Sequence, residues 1–339
     1  MIDTEGLPIS TVDAIIPCHN YGHLLADAVR SVLAQEDVIV RVLILDDAST
    51  DETPRIGSDL AAEDERVEFR RHAVNRGHIR TYNEGLEWVQ AEYVLLLSAD
   101  DVLTPRSLVR AVRVMQAHPD VVLTYGRDIA FSAPQPPWHD ARMQPESYRI
   151  YSYRELLETA CRLGHTPIQA PTVLVKTDAH RAAGDYLVDL PHSGDTEIWL
   201  RIVSHGRVAA LDAVQAFRRL HASNMSHGYS PRQRLEEQLR AFETHLADSP
   251  LASVERERYM RLVRQTTAEA AFWSAARLLD LGDRTECAGS LAFAVSCDSA
   301  IAETRAWTRL QWKRRLGLFT AGLSNRLSRR VRQPAPVRT

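Results

Sequence analysis

The stretch Val40-Arg41-Val42-Leu43-Ile44-Leu45-Asp46-Asp47-Ala48-Ser49-Thr50-Asp51-Glu52 decides the fold. Val40 to Leu45 is nearly all apolar, as expected of a strand covered on both faces by helices in a parallel sheet. The run then breaks into two carboxylates and a polar turn. Ser49, with Glu52 three residues later, fits a capping box, and Pro54 is tolerated only at the start of the helix it opens. Strand, acidic turn and helix in succession form the repeating unit of an α/β protein.

The same unit recurs on either side. Val12 to Pro17 predicts a first strand, and Leu25, Ala28, Val29, Val32 and Leu33 share one face of the helix after it. Further strands are expected at Val67–Arg71, Tyr93–Leu97 and Val121–Tyr125, with helices at Arg80–Val89 and from Thr104-Pro105 to about Ala117. Prolines at 134, 136 and 137 mark a loop over Ser132–Gln144. Beyond it, Tyr153–Leu163 predicts a helix, Thr172–Lys176 a strand, Asp195–Ser204 a helix and Val208–Phe217 one or two strands. From about Pro231 glycine is absent up to Gly282 and helical patterning dominates; Ala268–Leu281, Gly282-Asp283 and Thr285–Val295 form a helix, tight turn and helix without a fixed repeat period.

A length of 339 residues implies two or three packed units. A net charge of −3 gives no reason to expect a nucleic-acid partner. Cys18, Cys161, Cys287 and Cys297 form neither a C-x-x-C pair nor a zinc spacing, so they are expected as reduced, mostly buried thiols. No signal-peptide pattern opens the chain, and no run approaches the ~20 apolar residues of a membrane span. The expected location is cytoplasmic. The last stretch qualifies this: from Arg305 onward there are ten basic residues and no acidic one, with Trp307, Trp312, Leu316, Phe319, Leu323 and Leu327 interleaved. That pattern suits a basic amphipathic helix docking peripherally on the inner face of the membrane.

In open α/β sheets ligands gather at the carboxyl ends of the strands. His19-Asn20, Asp46-Asp47 and Asp100-Asp101 all fall at such ends. A carboxylate at Asp46 or Asp47 suits a base N–H or a ribose hydroxyl. Asp100 and Asp101 offer hard oxygen ligands for Mg²⁺ or Mn²⁺, and through the cation for a diphosphate.

Five stretches in order, Ile15-Ile16-Pro17-Cys18-His19-Asn20, Leu45-Asp46-Asp47-Ala48-Ser49-Thr50-Asp51, Asn75-Arg76-Gly77, Asn83-Glu84-Gly85 and Ser98-Ala99-Asp100-Asp101, resemble family-2 glycosyltransferases. Gly194-Asp195-Thr196-Glu197-Ile198-Trp199-Leu200-Arg201 is similar to that family's acidic motif before an apolar helix, and Arg219-Leu220-His221-Ala222-Ser223-Asn224 to its Arg-x-His-x-x-Asn stretch. The resemblance spans roughly residues 10 to 227. It implies a GT-A type three-layer α/β/α sandwich with a mostly parallel sheet. A nucleotide-sugar-binding half would occupy 1–125, an acceptor-binding half 126–229, and a helical region with a basic tail 230–339.

The resemblance further implies an inverting transferase moving sugar from a nucleoside-diphosphate donor, most commonly a UDP-sugar, to a hydroxyl of a glycan, lipid-linked or other acceptor. Pro17, His19, Asn20, Asp46, Asp47, Asn75, Gly77 and Asp100 would line the nucleotide. Asp100, Asp101 and His221 would meet Mn²⁺ or Mg²⁺, and Asp195 would be the general base. Two departures stand out: Ser98-Ala99-Asp100 replaces the family's Asp-x-Asp, and Gly194 precedes Asp195 where the family often has Glu. They give a rival expectation, a sugar-nucleotide or glycan binding protein with little or no catalysis. A dinucleotide oxidoreductase is excluded by the lack of G-x-G-x-x-G. A nucleotidylyltransferase would want a Gly-rich basic loop where Cys18-His19-Asn20-Tyr21-Gly22-His23 stands.

Overall fold

The structure is a computed structural model that describes residues 9–132, 135–138, 147–221 and 228–316. Much of the proline loop, together with Ala222, Ser223, Asn224, Phe319, Leu323 and Leu327, lies outside the described residues.

Strand β1 (Thr11–Cys18) leads into helix α1 (Gly22–Leu33), β2 (Ile39–Asp46), α2 (Thr53–Glu63), β3 (Val67–Arg71), α3 (His78–Trp88) and β4 (Tyr93–Leu96). Strands β2 and β4 flank β1, all parallel, and β3 extends the sheet beyond β2. The chain therefore winds outward from β1 and then returns to its other side. That reversal opens a crevice between the ends of β1 and β4, where α/β sheets bind ligands.

The second half is mixed. After β5 (Val102–Leu103) and α4 (Ser107–Ala117) come β6 (Val121–Phe131), β7 (Tyr148–Ser152), α5 (Tyr153–Leu163), β8 (Leu174–Lys176), α6 (Thr177–Ala183), α7 (Gly194–Val203) and β9 (Arg207–Arg219). Strand β8 is antiparallel between β4 and β6, β9 runs parallel to β6, and β5 and β7 pair antiparallel with β9. Among the described residues four α-helices follow: α8 (Pro231–Asp248), α9 (Ser253–Asp280), α10 (Arg284–Cys297) and α11 (Arg305–Leu316).

Side-chain alternation assigns the two faces of the sheet. Val12, Ala14 and Ile16 of β1, with Val40, Val42 and Ile44 of β2, join one buried cluster with α1, α2 and α4. Ile15, Leu43 and Leu45 point the other way, into a cluster with α3, α5, α7, α8 and α9. Each such side chain contributes about 1.5–3 kcal/mol when fully buried. A third cluster ties α9, α10 and α11 together through Phe272, Ala275, Leu291 and Leu310.

Gly85 marks a tight contact of α3 with β1: a Cβ there would lie 2.4 Å from Cγ2 of Ile15. Gly85→Ala should lower stability by about 1–3 kcal/mol through overpacking. Urea denaturation checks this; a midpoint equal to that of the wild type would contradict it.

Several local expectations need correcting. Ser49 does not cap α2. Its Oγ accepts the Asn20 N–H, while Asp51 Oδ1 takes the Thr53 N–H at 2.9 Å. Thr104 does not cap α4 either; it donates its hydroxyl to the Val214 carbonyl at 2.7 Å. The strand at Thr172 begins later, because Ala170–Thr172 is a turn of 3-10 helix. The cysteines are all free, and Cys18, Cys161 and Cys287 are buried.

Candidate active site

The crevice holds a cleft of about 880 Å³. The end of β1 and the loop after it supply Pro17, His19, Asn20 and Tyr21; the loop after β2 supplies Asp47; the loop before α3 supplies Asn75 and Gly77; the turn after β4 supplies Ser98, Asp100 and Asp101; the end of β9 supplies Arg218 and Arg219. The residues expected to line the nucleotide thus come together on one surface, with one exception; the expected Asp195 and His221 are not part of its lining.

That exception is Asp46. As an even-numbered residue of β2, it follows Val42 and Ile44 toward the α1–α2 layer. It is fully buried, its Oδ1 accepts the Ser49 N–H at 2.9 Å, and Arg71 Nε lies 3.2 Å from Oδ2. Asp46 braces the turn and does not line the cleft, contrary to the expectation that it holds base or ribose.

Asp47 faces the other way. Its Oδ1 accepts the Arg76 N–H at 2.7 Å and its Oδ2 the Gly77 N–H at 2.9 Å, while His72 Nδ1 sits 2.8 Å from Oδ1. Burial opposes its ionisation, but the His72 hydrogen bond and the two amides outweigh this and hold its pKa below the usual carboxylate value. The carboxylate thereby folds residues 72–77 into one cleft wall. Gly77 adopts φ +82, a conformation that favours glycine. Each residue of Asn83-Glu84-Gly85 also has a distinct task. Glu84 bridges His72 and Arg76, Gly85 admits β1, and Asn83 holds both the N–H and the carbonyl of Tyr186 at 2.9 Å.

Asn20, at φ +61, ties the first two loops by accepting the Thr50 N–H at 2.8 Å. His19 Nδ1 donates to the Asp47 carbonyl at 2.8 Å, and Asn20 Nδ2 lies 3.2 Å from its Nε2. The neutral ring is thus the Nδ1–H tautomer. Cys18 borders the cleft, yet burial pushes its thiol up to about 12, which removes it as a nucleophile at neutral pH.

At the far side His221 Nε2 lies 3.0 Å from Asp100 Oδ2, and its ring meets Tyr21 edge-on at 5.3 Å. Asp101 is turned back onto the chain: its Oδ1 accepts the Arg219 N–H at 3.0 Å, and burial followed by the neighbouring Asp100 charge raises its pKa. Among the described residues no cluster of three or more His, Cys, Asp or Glu side chains surrounds a common point. That excludes a closed protein cage among them. Asp100 and His221 instead suit a hard divalent cation that takes its remaining ligands from water and phosphate. The Asp100–His221 hydrogen bond and a shared cation are competing uses of the same atoms.

Asp195 lies next door, in the first turn of α7. It borders a cavity of about 60 Å³ that shares Pro17, Tyr82, Ser98 and Ala170 with the main cleft. Burial raises its pKa to about 6, against a lowering hydrogen bond from Tyr186. His180 borders the same cavity, but burial drops its pKa to about 4, leaving Asp195 the stronger base. Tyr82 and Tyr186 meet edge-on at 5.6 Å beside it. No sequence motif marked Tyr186; its role becomes visible only through the contact with Asn83.

This sheet with its cleft defines a GT-A type glycosyltransferase fold. The S. aureus TarS 1-349 structure in complex with UDP-GlcNAc matches 84% of this chain and 79% of its own, at 15% identity and a TM-score of 0.63. The mannosyltransferase PcManGT from Pyrobaculum calidifontis, in complex with GDP-Man and Mn²⁺, matches 89% and 83% at 18% identity and a TM-score of 0.55. Residues 13–174 match the model for glycosyl transferase family 2. A glycosyltransferase of Nostoc sp., alr2836, is 32% identical over 35% of this chain and 37% of its own length. The chain spans less than half the length of the curated relatives that head the comparison. Asp195 lies beyond the matched stretch.

Proposed function

We propose that this protein is an inverting glycosyltransferase that moves a sugar from a nucleoside-diphosphate donor, with UDP as the nucleotide, to a hydroxyl of a glycan or lipid-linked acceptor. The observation that carries the reading is Asp195. A half-buried carboxylate whose pKa desolvation raises to about 6 borders a cavity continuous in its lining with the main cleft. A group so tuned is largely ionised at neutral pH and still basic enough to take a hydroxyl proton. With one base and, among the described residues, no second carboxylate lining its cavity, the acceptor oxygen attacks the anomeric carbon directly as the diphosphate leaves, and configuration inverts.

The main cleft receives the nucleotide. His19, Asn75 and Gly77 border the base and ribose end, and Asp100 faces the diphosphate. Asp100 and His221 would hold Mn²⁺ or Mg²⁺, with Asp101 bracing Arg219 behind them. When bound, the cation supplies positive charge against the departing diphosphate. The UDP-GlcNAc of TarS and the GDP-Man and Mn²⁺ of PcManGT support a nucleotide-sugar donor and a divalent cation. In this reading residues 1–125 serve the donor, 126–229 the acceptor and 230–339 a helical support.

A thermal-shift panel of nucleotide sugars, with and without Mn²⁺, tests the donor. UDP-sugars should stabilise the protein, more so with Mn²⁺, and slow hydrolysis of the bound sugar should follow. Stabilisation without any turnover would favour the binding-protein reading.

The reading also includes work at a membrane surface. Among the described residues no helix is long and apolar enough to cross a bilayer. Helix α11 buries Leu310 and turns Arg305, Thr308, Arg309, Trp312 and Arg315 outward. Trp312 is 57% exposed among three arginines. Each arginine near an anionic surface contributes about 1 kcal/mol, which suits reversible docking. The protein should float with anionic vesicles at low salt and be released at high salt. A variant with Arg305, Arg309 and Arg315 changed to Glu should stay in solution; equal flotation would contradict the docking.

A further inference from the structure

We propose that Glu237, in the C-terminal helical region, is a positioning residue that sets the place of the Asp195 carboxylate. The proposal rests on Asp195 being the base. Helix α7 begins at Gly194, so the amides around its start lack intrahelical partners. Ser193 at the cap makes no side-chain cap bond, and its Oγ has no hydrogen-bond partner among the described residues. The acceptor comes from another helix. Glu237 of α8 turns Oε1 onto the Ser193 N–H at 2.9 Å and also takes the His192 N–H. Its neighbour Gln238 donates Nε2 to Thr196 Oγ1 at 2.7 Å.

These contacts fall on both sides of Asp195, at residues 192–193 and at 196. A third contact adds to them: His192, which borders the main cleft, stacks on Tyr229 at 4.5 Å and 26°, just before α8. Glu237 is only 4% exposed. A carboxylate taken that far out of water needs strong partners, and charge-assisted bonds to backbone amides are strong and directional. They fix the backbone from which the base projects. Since a misplacement of about 1 Å at a reacting group can slow a reaction about 100-fold, α8 is part of what makes the base effective. None of these residues lies within 13–174, the stretch matched to the family.

The test compares Glu237→Ala and Glu237→Gln in wild-type and Asp195→Asn backgrounds. Glu237→Gln keeps an acceptor oxygen for both amides and should stay within threefold of wild type. Glu237→Ala should lower kcat 10- to 100-fold, leave the donor KM and the Kd for UDP within twofold, and displace the acid limb of the pH profile. In the Asp195→Asn background it should add less than a further twofold. A Glu237→Ala enzyme with kcat within twofold of wild type overturns the proposal, whatever its melting temperature. So does an equal loss in both backgrounds, because Glu237 would then not act through Asp195. If Glu237→Ala does not fold, Gln238→Leu serves instead. Its expected loss is three- to tenfold in kcat alone, and an unchanged kcat overturns the proposal. Failure of the base assignment shows separately, as near wild-type transfer by Asp195→Asn with Glu237 intact.

Discussion

Asp195→Asn should slow sugar transfer by at least ~100-fold while leaving the affinity for UDP unchanged, because a general base contributes about that much. The wild-type rate should rise with pH through about 6 and level off above it, following ionisation of the carboxylate. The variant should lose that limb. The same shift has a stability counterpart. Burial raises the Asp195 pKa from 3.8 to about 6, so its contribution to stability is present below pH 3.8 and is lost as pH rises through about 6. Two units correspond to roughly 2–3 kcal/mol. At pH 7 the asparagine variant should therefore melt higher than the wild type while transferring far less. Near wild-type transfer by the variant would remove Asp195 from the chemistry.

Asp100→Ala should abolish the part of UDP binding that depends on Mn²⁺. The carboxylate stands at the β4 end of the cleft with His221 3.0 Å away, and removing it leaves one imidazole for a hard cation that prefers oxygen ligands. Calorimetry of UDP with and without Mn²⁺ checks this. The wild type should gain at least tenfold in affinity from the metal and the variant nothing. A wild type indifferent to Mn²⁺ would contradict the proposed site.

Strands buried on both faces were the most legible part of the sequence. Ile39–Asp46 and Tyr93–Leu96 are where their apolar runs fall, give or take a residue. Strand β5 is two residues long, too short for any periodic signal, and β7 carries exposed Tyr148 and Arg149 at its start. Hydrogen-bonding polar residues misled where long-range partners competed with local ones. Ser49 fits a capping pattern but serves Asn20, 29 residues away. Asp46 and Asp47 look equivalent in sequence, yet strand alternation sends one carboxylate into the α1–α2 layer and the other to the cleft wall. Tyr186 and Glu237 carried no local signal at all, because each acts through a partner at least 40 residues distant.

Helix α9 has 28 residues, a rod of about 42 Å. Its early turns give Tyr259 and Val263 to the cluster beneath the sheet, and its later turns give Ala268, Ala271 and Phe272 to the cluster shared with α10 and α11. Arg154 and Glu158 of α5 are clamped to its first turns by Glu255 and Arg258. One uninterrupted hydrogen-bonded element therefore belongs to both clusters, so melting either end frays the other. The α/β region and its helical appendage should behave as a single cooperative foldon. A fragment ending near Ser249 would strip α5 of its cover, leave an apolar face in water and aggregate instead of folding on its own.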